Sequence, residues 1–322
     1  MASGLKGLLE KHMERKAFKS SGKAKTETFR EEKPVKPLPK EKFVKRKSDE
    51  HDQCFILIPD VHSYMRDKKA FDLCMKALPI LHESYNVTKV VQMGDLLECG
   101  SMTSHPASSV FERVPEYAEE IEWAIEDFWK PAMKACPDAN FYALLGNHEN
   151  RLNKKIAKEI MKGAGFGNDL AIHIYNELLP TDIYEELGVH VLPYGNESVT
   201  EGVLQLTPKL LCIHGWSIAK NSAKVHLEMI SGGYSLVHAH THRSQHYTNR
   251  NPITGETVSA WSFGSLAKPE MGWHGGQPTN HVLGFGLVFI HGDDFVIQEV
   301  PIKIIGDSRK AILPNGIVLT EK

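Results

Sequence analysis

Five short apolar runs, each followed directly by polar residues, divide the central part of the chain. They are CFILIPD (54–60), KVVQMGD (89–95), FYALLGN (141–147), LLCIHG (210–215) and SLVHAHTH (235–242). Short apolar runs bounded by polar residues are typical of buried strands. We therefore predict a strand at each of the five positions.

Helical patterns separate the first three of these runs. KKAFDLCMKALPILHESY lies between the first and the second, and PEYAEEIEWAIEDFWKPAMKAC lies between the second and the third. In the latter, apolar residues recur at steps of three and four, opposite an acidic face that we interpret as solvated surface. Pro131 is predicted to kink or end this helix. Strands that alternate with helices indicate an α/β fold.

The C-terminal part has a different pattern. TVSAWSFGS (257–265), FGLVFIHG (285–292) and FVIQEVPI (295–302) are strand-like runs with little helical sequence between them. HGDD (291–294) is predicted to form a hairpin turn. We expect this part of the chain to be mainly antiparallel β structure.

Charge is distributed unevenly along the 322 residues. Residues 1–50 contain 15 Lys or Arg and 8 Asp or Glu, whereas the whole chain has a net charge of −2. This basic segment includes KPVKPLPKEKFVKRK, and such Pro-broken basic sequence is typical of a loosely packed extension. Nucleic acid is one partner that its charge favours, and a solvated extension without a partner is the alternative.

Composition excludes some classes of protein. No run approaches the roughly 18 apolar residues that a membrane span needs, and the charged N-terminus does not resemble a secretion signal. Five scattered cysteines without a CxxC pair favour reduced thiols over a disulfide framework. From these features we expect a cytoplasmic protein.

Potential metal ligands follow all five predicted strands. In chain order they are Asp60 and His62, Asp95 with Glu98, Asn147 and His148, His214, and His240 with His242. In open α/β sheets, ligands bind at the edge where the strands end. Imidazoles mixed with carboxylates and a carboxamide suit a catalytic site for Mn, Fe or Zn better than a closed structural zinc site. The donors are numerous enough for two ions that share a carboxylate, an arrangement that hydrolyses phosphate esters.

The order D-x-H, G-D-x-x-E, G-N-H-E, H-G and H-T-H resembles the calcineurin-like metallophosphoesterase superfamily, and its nuclease and phosphodiesterase branch in particular. The resemblance covers about residues 54–242. It implies a four-layer α/β/β/α sandwich of two mixed β-sheets flanked by helices. We accordingly divide the chain into a basic extension (1–52), a metallophosphoesterase domain (53–305) and a C-terminal tail (306–322).

The resemblance also implies a ligand set for two divalent ions, with Mn favoured and Fe, Zn or Ni as alternatives. Asp60, His62 and His242 would hold the first ion. Asn147, His214 and His240 would hold the second, and Asp95 would bridge the two ions.

Two catalytic residues follow from the same resemblance. His148 would donate a proton to the leaving oxygen or stabilise phosphoryl charge, and Glu98 would orient His148. Glu149 is expected to cap the following helix. Arg151 and Arg243 follow the metal motifs directly and are candidates to bind a phosphate oxygen, with ordinary salt bridges as the alternative.

The expected function is hydrolysis of a phosphodiester, in nucleic acid or a nucleotide, by a metal-bound hydroxide. The chain has GDLLECG where the phosphoprotein phosphatases have G-D-x-x-D-R-G, and this missing arginine argues against a protein phosphatase. Ala239 also replaces a glycine that usually precedes the H-x-H pair. A phosphomonoesterase is the alternative, and a degenerate metal-binding scaffold is the alternative of another class.

Overall fold

A computed structural model describes residues 53–103, 114–161, 179–195, 201–230, 232–271 and 277–322. The predicted basic extension (1–52) lies outside these residues. The described strands are β1 (Gln53–Ile58), β2 (Val87–Gln92), β3 (Asn140–Leu144), β4 (Val189–Leu192), β5 (Val203–Thr207), β6 (Leu210–Ile213), β7 (Ser235–His238), β8 (Ser244–Arg250), β9 (Thr257–Phe263), β10 (Leu283–His291), β11 (Asp294–Ile305), β12 (Ser308–Ile312) and β13 (Val318–Glu321).

The described helices are α1 (Lys68–Tyr85), α2 (Tyr117–Trp123), α3 (Lys130–Ala135), α4 (Asn150–Met161), α5 (Pro180–Glu186) and α6 (Ser222–Ile230). A π-helical segment, Ala124–Trp129, joins α2 to α3. The helix continues past Pro131 to Ala135, so Pro131 does not end it. The wider π turn precedes Pro131, at the point where proline cannot donate a backbone hydrogen bond. None of the described helices is long and apolar enough to cross a membrane.

The first sheet has the strand order β13-β12-β11-β10-β1-β2-β3-β4. Strands β1 to β4 are parallel to one another, whereas β10 is antiparallel to β1 and continues into an antiparallel β10–β13 meander. This confirms the predicted change from α/β to antiparallel structure. The hairpin at 291–294 is also present, because His291 pairs with Asp294.

The second sheet has the order β5-β6-β7-β9-β8. Its three central strands are parallel, and the two edge strands are antiparallel to their neighbours. Side chains from both sheets form one core, in which Leu57 and Val91 of the first sheet lie in the same cluster as Val237 and Phe263 of the second. At Gly286 of β10 a Cβ atom would lie 2.4 Å from the Phe263 ring, so the sheets need glycine there to approach.

Helices cover the outer faces of both sheets. Helix α1 packs on β2, β10, β12 and β13, and α6 packs on β7, β8 and β9. The predicted four-layer α/β/β/α architecture is confirmed.

The segment assigned to a C-terminal tail, 306–322, forms strands β12 and β13 of the first sheet. Asp67 connects this segment to the body. It caps α1 by accepting a hydrogen bond from the Ala70 amide at 2.9 Å, and its other oxygen pairs with Arg309 of β12 at 2.6 Å. Because the pair joins residues far apart in sequence, a local apolar pattern gives no sign of it.

Candidate metal centre

The predicted ligands lie where strands of the two sheets end. The parallel strands β1, β2 and β3 place their following loops at one edge of the first sheet, and β6 and β7 of the second sheet end beside the same region. Three groups of acidic and histidine side chains have ligand atoms within 4.8 Å of one another. The first is Asp60, His62 and His242, the second is Asp95, His214 and His240, and the third, which shares His62 with the first, is His62, Glu98 and His148.

The first group is almost completely buried. The Nε2 atoms of His62 and His242 lie 3.0 Å apart, and Nε2 of His242 lies 3.5 Å from Oδ1 of Asp60. The three side chains expected at the first ion are therefore brought together from loops 180 residues apart in the chain.

The second group contains the remaining expected ligands. Nε2 of His214 lies 3.1 Å from Oδ1 of Asn147 and 3.3 Å from Oδ2 of Asp95. The rings of His214 and His240 lie 5.3 Å apart. All four side chains expected at the second ion thus face one small region.

Asp95 lies between the first two groups. Its Oδ2 atom is 3.3 Å from Nε2 of His214 and 3.8 Å from Nε2 of His62. A Cβ atom at Gly146 would lie 2.1 Å from Oδ1 of Asp95, so only glycine lets the loop after β3 pass this close. The Asp95 carboxylate thus lies near a histidine of each group, and bridging of two ions by Asp95 stays a prediction.

Hydrogen bonds to the outer nitrogens fix the histidine tautomers. Nδ1 of His62 donates to Oε2 of Glu98 at 2.7 Å, and Nδ1 of His214 donates to the Met93 carbonyl at 2.9 Å. Each neutral ring therefore presents the lone pair of Nε2 to oxygens and nitrogens that also carry lone pairs. Such outer hydrogen bonds are usual for metal-binding histidines. In this arrangement the lone pairs of neighbouring donor atoms point at one another and repel. A bound divalent cation would remove this repulsion, so the donor set fits a pair of such ions.

The pKa values show the same attraction for positive charge. Burial alone would lower the pKa of His214, but Asp95 and Asp60 raise it to about 9. Burial opposes ionisation of Asp60 as well, yet the neighbouring His242 and His214 lower its pKa to about 2. Both shifts show that the surroundings favour positive charge at this centre, which a divalent ion would supply.

His148 and Glu98 lie next to the first group. Nδ1 of His148 is 3.2 Å from Oε2 of Glu98 and 3.1 Å from the Glu98 carbonyl. Burial lowers the pKa of His148, but the charges of Asp95 and Glu98 outweigh burial and raise it. The predicted contact is present. Glu98 also contacts His62, which the sequence did not suggest.

Arg151 joins the same group of side chains. Its guanidinium donates to the Glu98 carboxylate at 3.0 Å and lies 3.2 Å from Nε2 of His148. Arg243 is arranged differently, because its exposed guanidinium donates to the carbonyls of Ile218 at 3.0 Å and Lys220 at 3.2 Å. Phosphate binding by either arginine stays a prediction.

Glu149 does not cap helix α4 as expected. Its buried carboxylate accepts hydrogen bonds from the amides of Asp95 at 3.1 Å, Leu97 at 2.8 Å and Gly146 at 2.8 Å. It therefore ties the loop after β2 to the loop after β3. Burial, together with the charge of Asp95, raises the pKa of Glu149 to about 7.

Two further residues lie beside the centre, and sequence reasoning assigned neither of them a functional role. Tyr194 follows β4, the fourth parallel strand, and its ring lies 6.1 Å from the His214 ring. His226 of α6 is fully buried, and its Nε2 accepts hydrogen bonds from the amides of Trp216 and Ser217, each at 3.1 Å. The position of Tyr194 after a strand is a signal that the sequence offered, whereas His226 lies in a helix without a motif.

Comparison with known proteins gives a family and a structural neighbour. A family model described as calcineurin-like phosphoesterase matches residues 55–263. Among solved structures, vacuolar protein sorting 29 from Cryptosporidium parvum matches with 13% sequence identity and a TM-score of 0.38, over 84% of this chain and 96% of that chain. No curated protein matches the chain.

Proposed function

Because the chain belongs to the calcineurin-like phosphoesterase family, whose members are metal-dependent phosphoric ester hydrolases, we propose that it hydrolyses phosphodiesters in nucleic acid or in a nucleotide. The proposed cofactor is a pair of divalent ions, with manganese as the favoured metal. Asp60, His62 and His242 would hold one ion, Asn147, His214 and His240 the other, and Asp95 would bridge them.

When bound, such a pair of ions supplies a water nucleophile at neutral pH and neutralises charge on the phosphoryl group. The remaining chemistry belongs to the chain. We propose that His148, which contacts Glu98, carries a proton to the leaving oxygen. The raised pKa of His148 favours the protonated form that this role needs.

The balance of charge near His148 supports a diester over a monoester. A monoester dianion brings two negative charges, whereas a diester brings one. Of the two candidate phosphate-binding arginines, Arg151 is paired with the Glu98 carboxylate, and Arg243 is turned to backbone carbonyls. Both guanidinium groups already have hydrogen-bond partners within the protein, so neither is available to neutralise a second negative charge. A singly charged substrate therefore suits the centre better.

The test compares two substrates with the same leaving group. The protein is loaded with Mn²⁺, and kcat/KM is measured on bis-p-nitrophenyl phosphate and on p-nitrophenyl phosphate. We expect a larger kcat/KM on the diester. Faster turnover of the monoester would instead assign a phosphomonoesterase.

A matched variant separates enzyme from scaffold. Asp95→Asn keeps the size of the side chain but removes the shared negative charge, so we expect it to fold and to lose activity on both substrates. If the metal-loaded wild-type protein hydrolysed neither ester while Asp95→Asn folded normally, the chain would be a metal-binding scaffold.

A further inference from the structure

A buried carboxylate outside the ligand set connects two loops of the centre. Glu120 lies in helix α2 with 2% of its surface exposed. Its Oε2 atom accepts hydrogen bonds from the Ser63 hydroxyl at 2.5 Å and from the amides of Glu98 at 2.7 Å and Cys99 at 3.0 Å. Its Oε1 atom accepts from the Gly100 amide at 3.3 Å.

These bonds act where the backbone is strained. Ser63 has a φ of 35° and Cys99 a φ of 49°, both in the left-handed region that residues other than glycine adopt at a cost. Such conformations persist only where surrounding contacts hold them. Glu120 bonds to the side chain of one of these residues and to the amide of the other.

Both strained residues adjoin groups of the metal centre. Ser63 directly follows His62, and Cys99 directly follows Glu98. The Glu98 carboxylate in turn accepts the hydrogen bond from Nδ1 of His62 and contacts His148. The position of one carboxylate therefore affects both the orientation of a metal ligand and the contact to the candidate proton donor.

We propose that Glu120 is a positioning residue for the phosphoesterase reaction, holding His62 and Glu98 in the geometry that binds the first metal ion and orients His148. This inference rests on the proposed function. A carboxylate suits the role better than an amide, because four donors converge on it and the NH₂ group of glutamine would face backbone N–H groups. Helix α2 supplies a rigid support for a side chain that acts on two loops.

The test uses Glu120→Gln, with Glu126→Gln on the exposed face of the adjoining π-helical segment as the matched control. Calorimetric titration of the metal-free proteins with Mn²⁺ measures the affinity of each site. For Glu120→Gln we expect one site to bind about tenfold more weakly, as is common when a supporting residue behind a ligand is changed. We expect kcat on an alkyl phosphodiester, whose leaving oxygen needs the proton that His148 would donate, to fall by a similar factor, with KM within about threefold of wild type. The control should bind and turn over as wild type does.

A purely structural role predicts a different result. In that case Glu120→Gln would melt at a lower temperature while keeping wild-type Mn²⁺ affinity and wild-type kcat, and the proposal would be overturned. If Glu120→Gln does not fold, Ser63→Ala removes one of the four bonds to Glu120 and also the hydroxyl that accepts from the Glu98 amide at 3.2 Å. We expect Ser63→Ala to weaken Mn²⁺ binding, and wild-type binding by this variant would contradict the proposal. Because calorimetry needs no turnover, the inference can fail or hold independently of the proposed reaction.

Discussion

The Nδ1 atom of His62 lies 2.7 Å from Oε2 of Glu98, closer than Nδ1 of His148, which lies 3.2 Å from the same oxygen. Glu98 thus contacts both His62, which is expected to bind metal, and His148, which is expected to act on substrate. Arg151 contacts the other oxygen of this carboxylate at 3.0 Å. Loss of the charge on Glu98 should therefore affect metal binding and catalysis together.

Glu98→Gln is expected to weaken Mn²⁺ binding by about tenfold and to lower kcat by a similar factor. The reason is that His62 loses the charged acceptor that fixes its tautomer and makes it a stronger ligand. Calorimetry on the metal-free protein and steady-state kinetics measure the two effects. Glu83→Gln, at an exposed position of α1, is the control. A fall in kcat with unchanged Mn²⁺ affinity would show that Glu98 orients His148 but does not support metal binding by His62.

His148→Asn is expected to keep Mn²⁺ binding and to lower kcat by about 10² to 10⁴ on substrates whose leaving oxygen needs a proton, the range for loss of a general acid. The loss should depend on the leaving group. It should be small for p-nitrophenolate, which leaves without a proton, and large for an alkoxide such as a nucleoside hydroxyl. Rates on a series of aryl and alkyl diesters provide the measurement. An equal loss across the series would show that His148 stabilises phosphoryl charge instead of donating a proton.

Protonation of His238 should make the free energy of unfolding depend on pH. Burial lowers the pKa of His238 to about 4, although its bond to the Ala239 carbonyl and the charge of Asp60 oppose this shift. The unfolded-state pKa of histidine is about 6.5, so between these values the unfolded chain binds more protons. Stability then rises with pH through this window, and acidification from pH 6.5 to 5 costs roughly 2 kcal/mol through this group.

Urea unfolding of the metal-free protein at pH 7, 6 and 5 measures this effect. His238→Asn retains a donor for the Ala239 carbonyl but cannot be protonated, so the fall in stability on acidification should be smaller by that amount. His291→Asn, at an exposed position of β10, should leave the slope unchanged. An unchanged slope in His238→Asn would show that His238 is protonated equally in both states.

Contact with nucleic acid is one role proposed for the basic extension, and a solvated segment without a partner is the alternative. Replacing Lys45, Arg46 and Lys47 by glutamine should raise KM for a DNA or RNA substrate and reduce its dependence on salt, because fewer phosphates are neutralised. Turnover of bis-p-nitrophenyl phosphate, which carries a single phosphate, should stay the same. Kinetics between 50 and 200 mM salt provide the measurement, and an unchanged KM would leave the extension as a solvated segment.

The polarity pattern was sufficient to locate the strands that carry the centre. Each run such as FYALLGN stops being apolar where its strand ends, and parallel strands place these ends together. Asn147 could therefore be grouped with Asp95 without a structure. The antiparallel C-terminal part could be predicted for a similar reason, since its runs lack intervening helices. The sequence did not reveal that β10 pairs with β1, because strand pairing depends on contacts distant in the chain.

The sequence alone determined which residue types stand at the strand ends, since that depends on local patterns of apolar and polar positions. The tertiary structure decided which buried carboxylates hold the loops that carry these residues. Glu120 lies in an acidic helix, three residues after Tyr117 on the apolar stripe, and the sequence did not distinguish it from the other acidic residues there. Glu149 is predicted from the sequence to cap a helix, which the structure does not show. Both carboxylates bond backbone amides of loops far away in sequence. Only folding brings such donors to a buried acid, so their roles depend on three-dimensional distance, which local sequence does not encode.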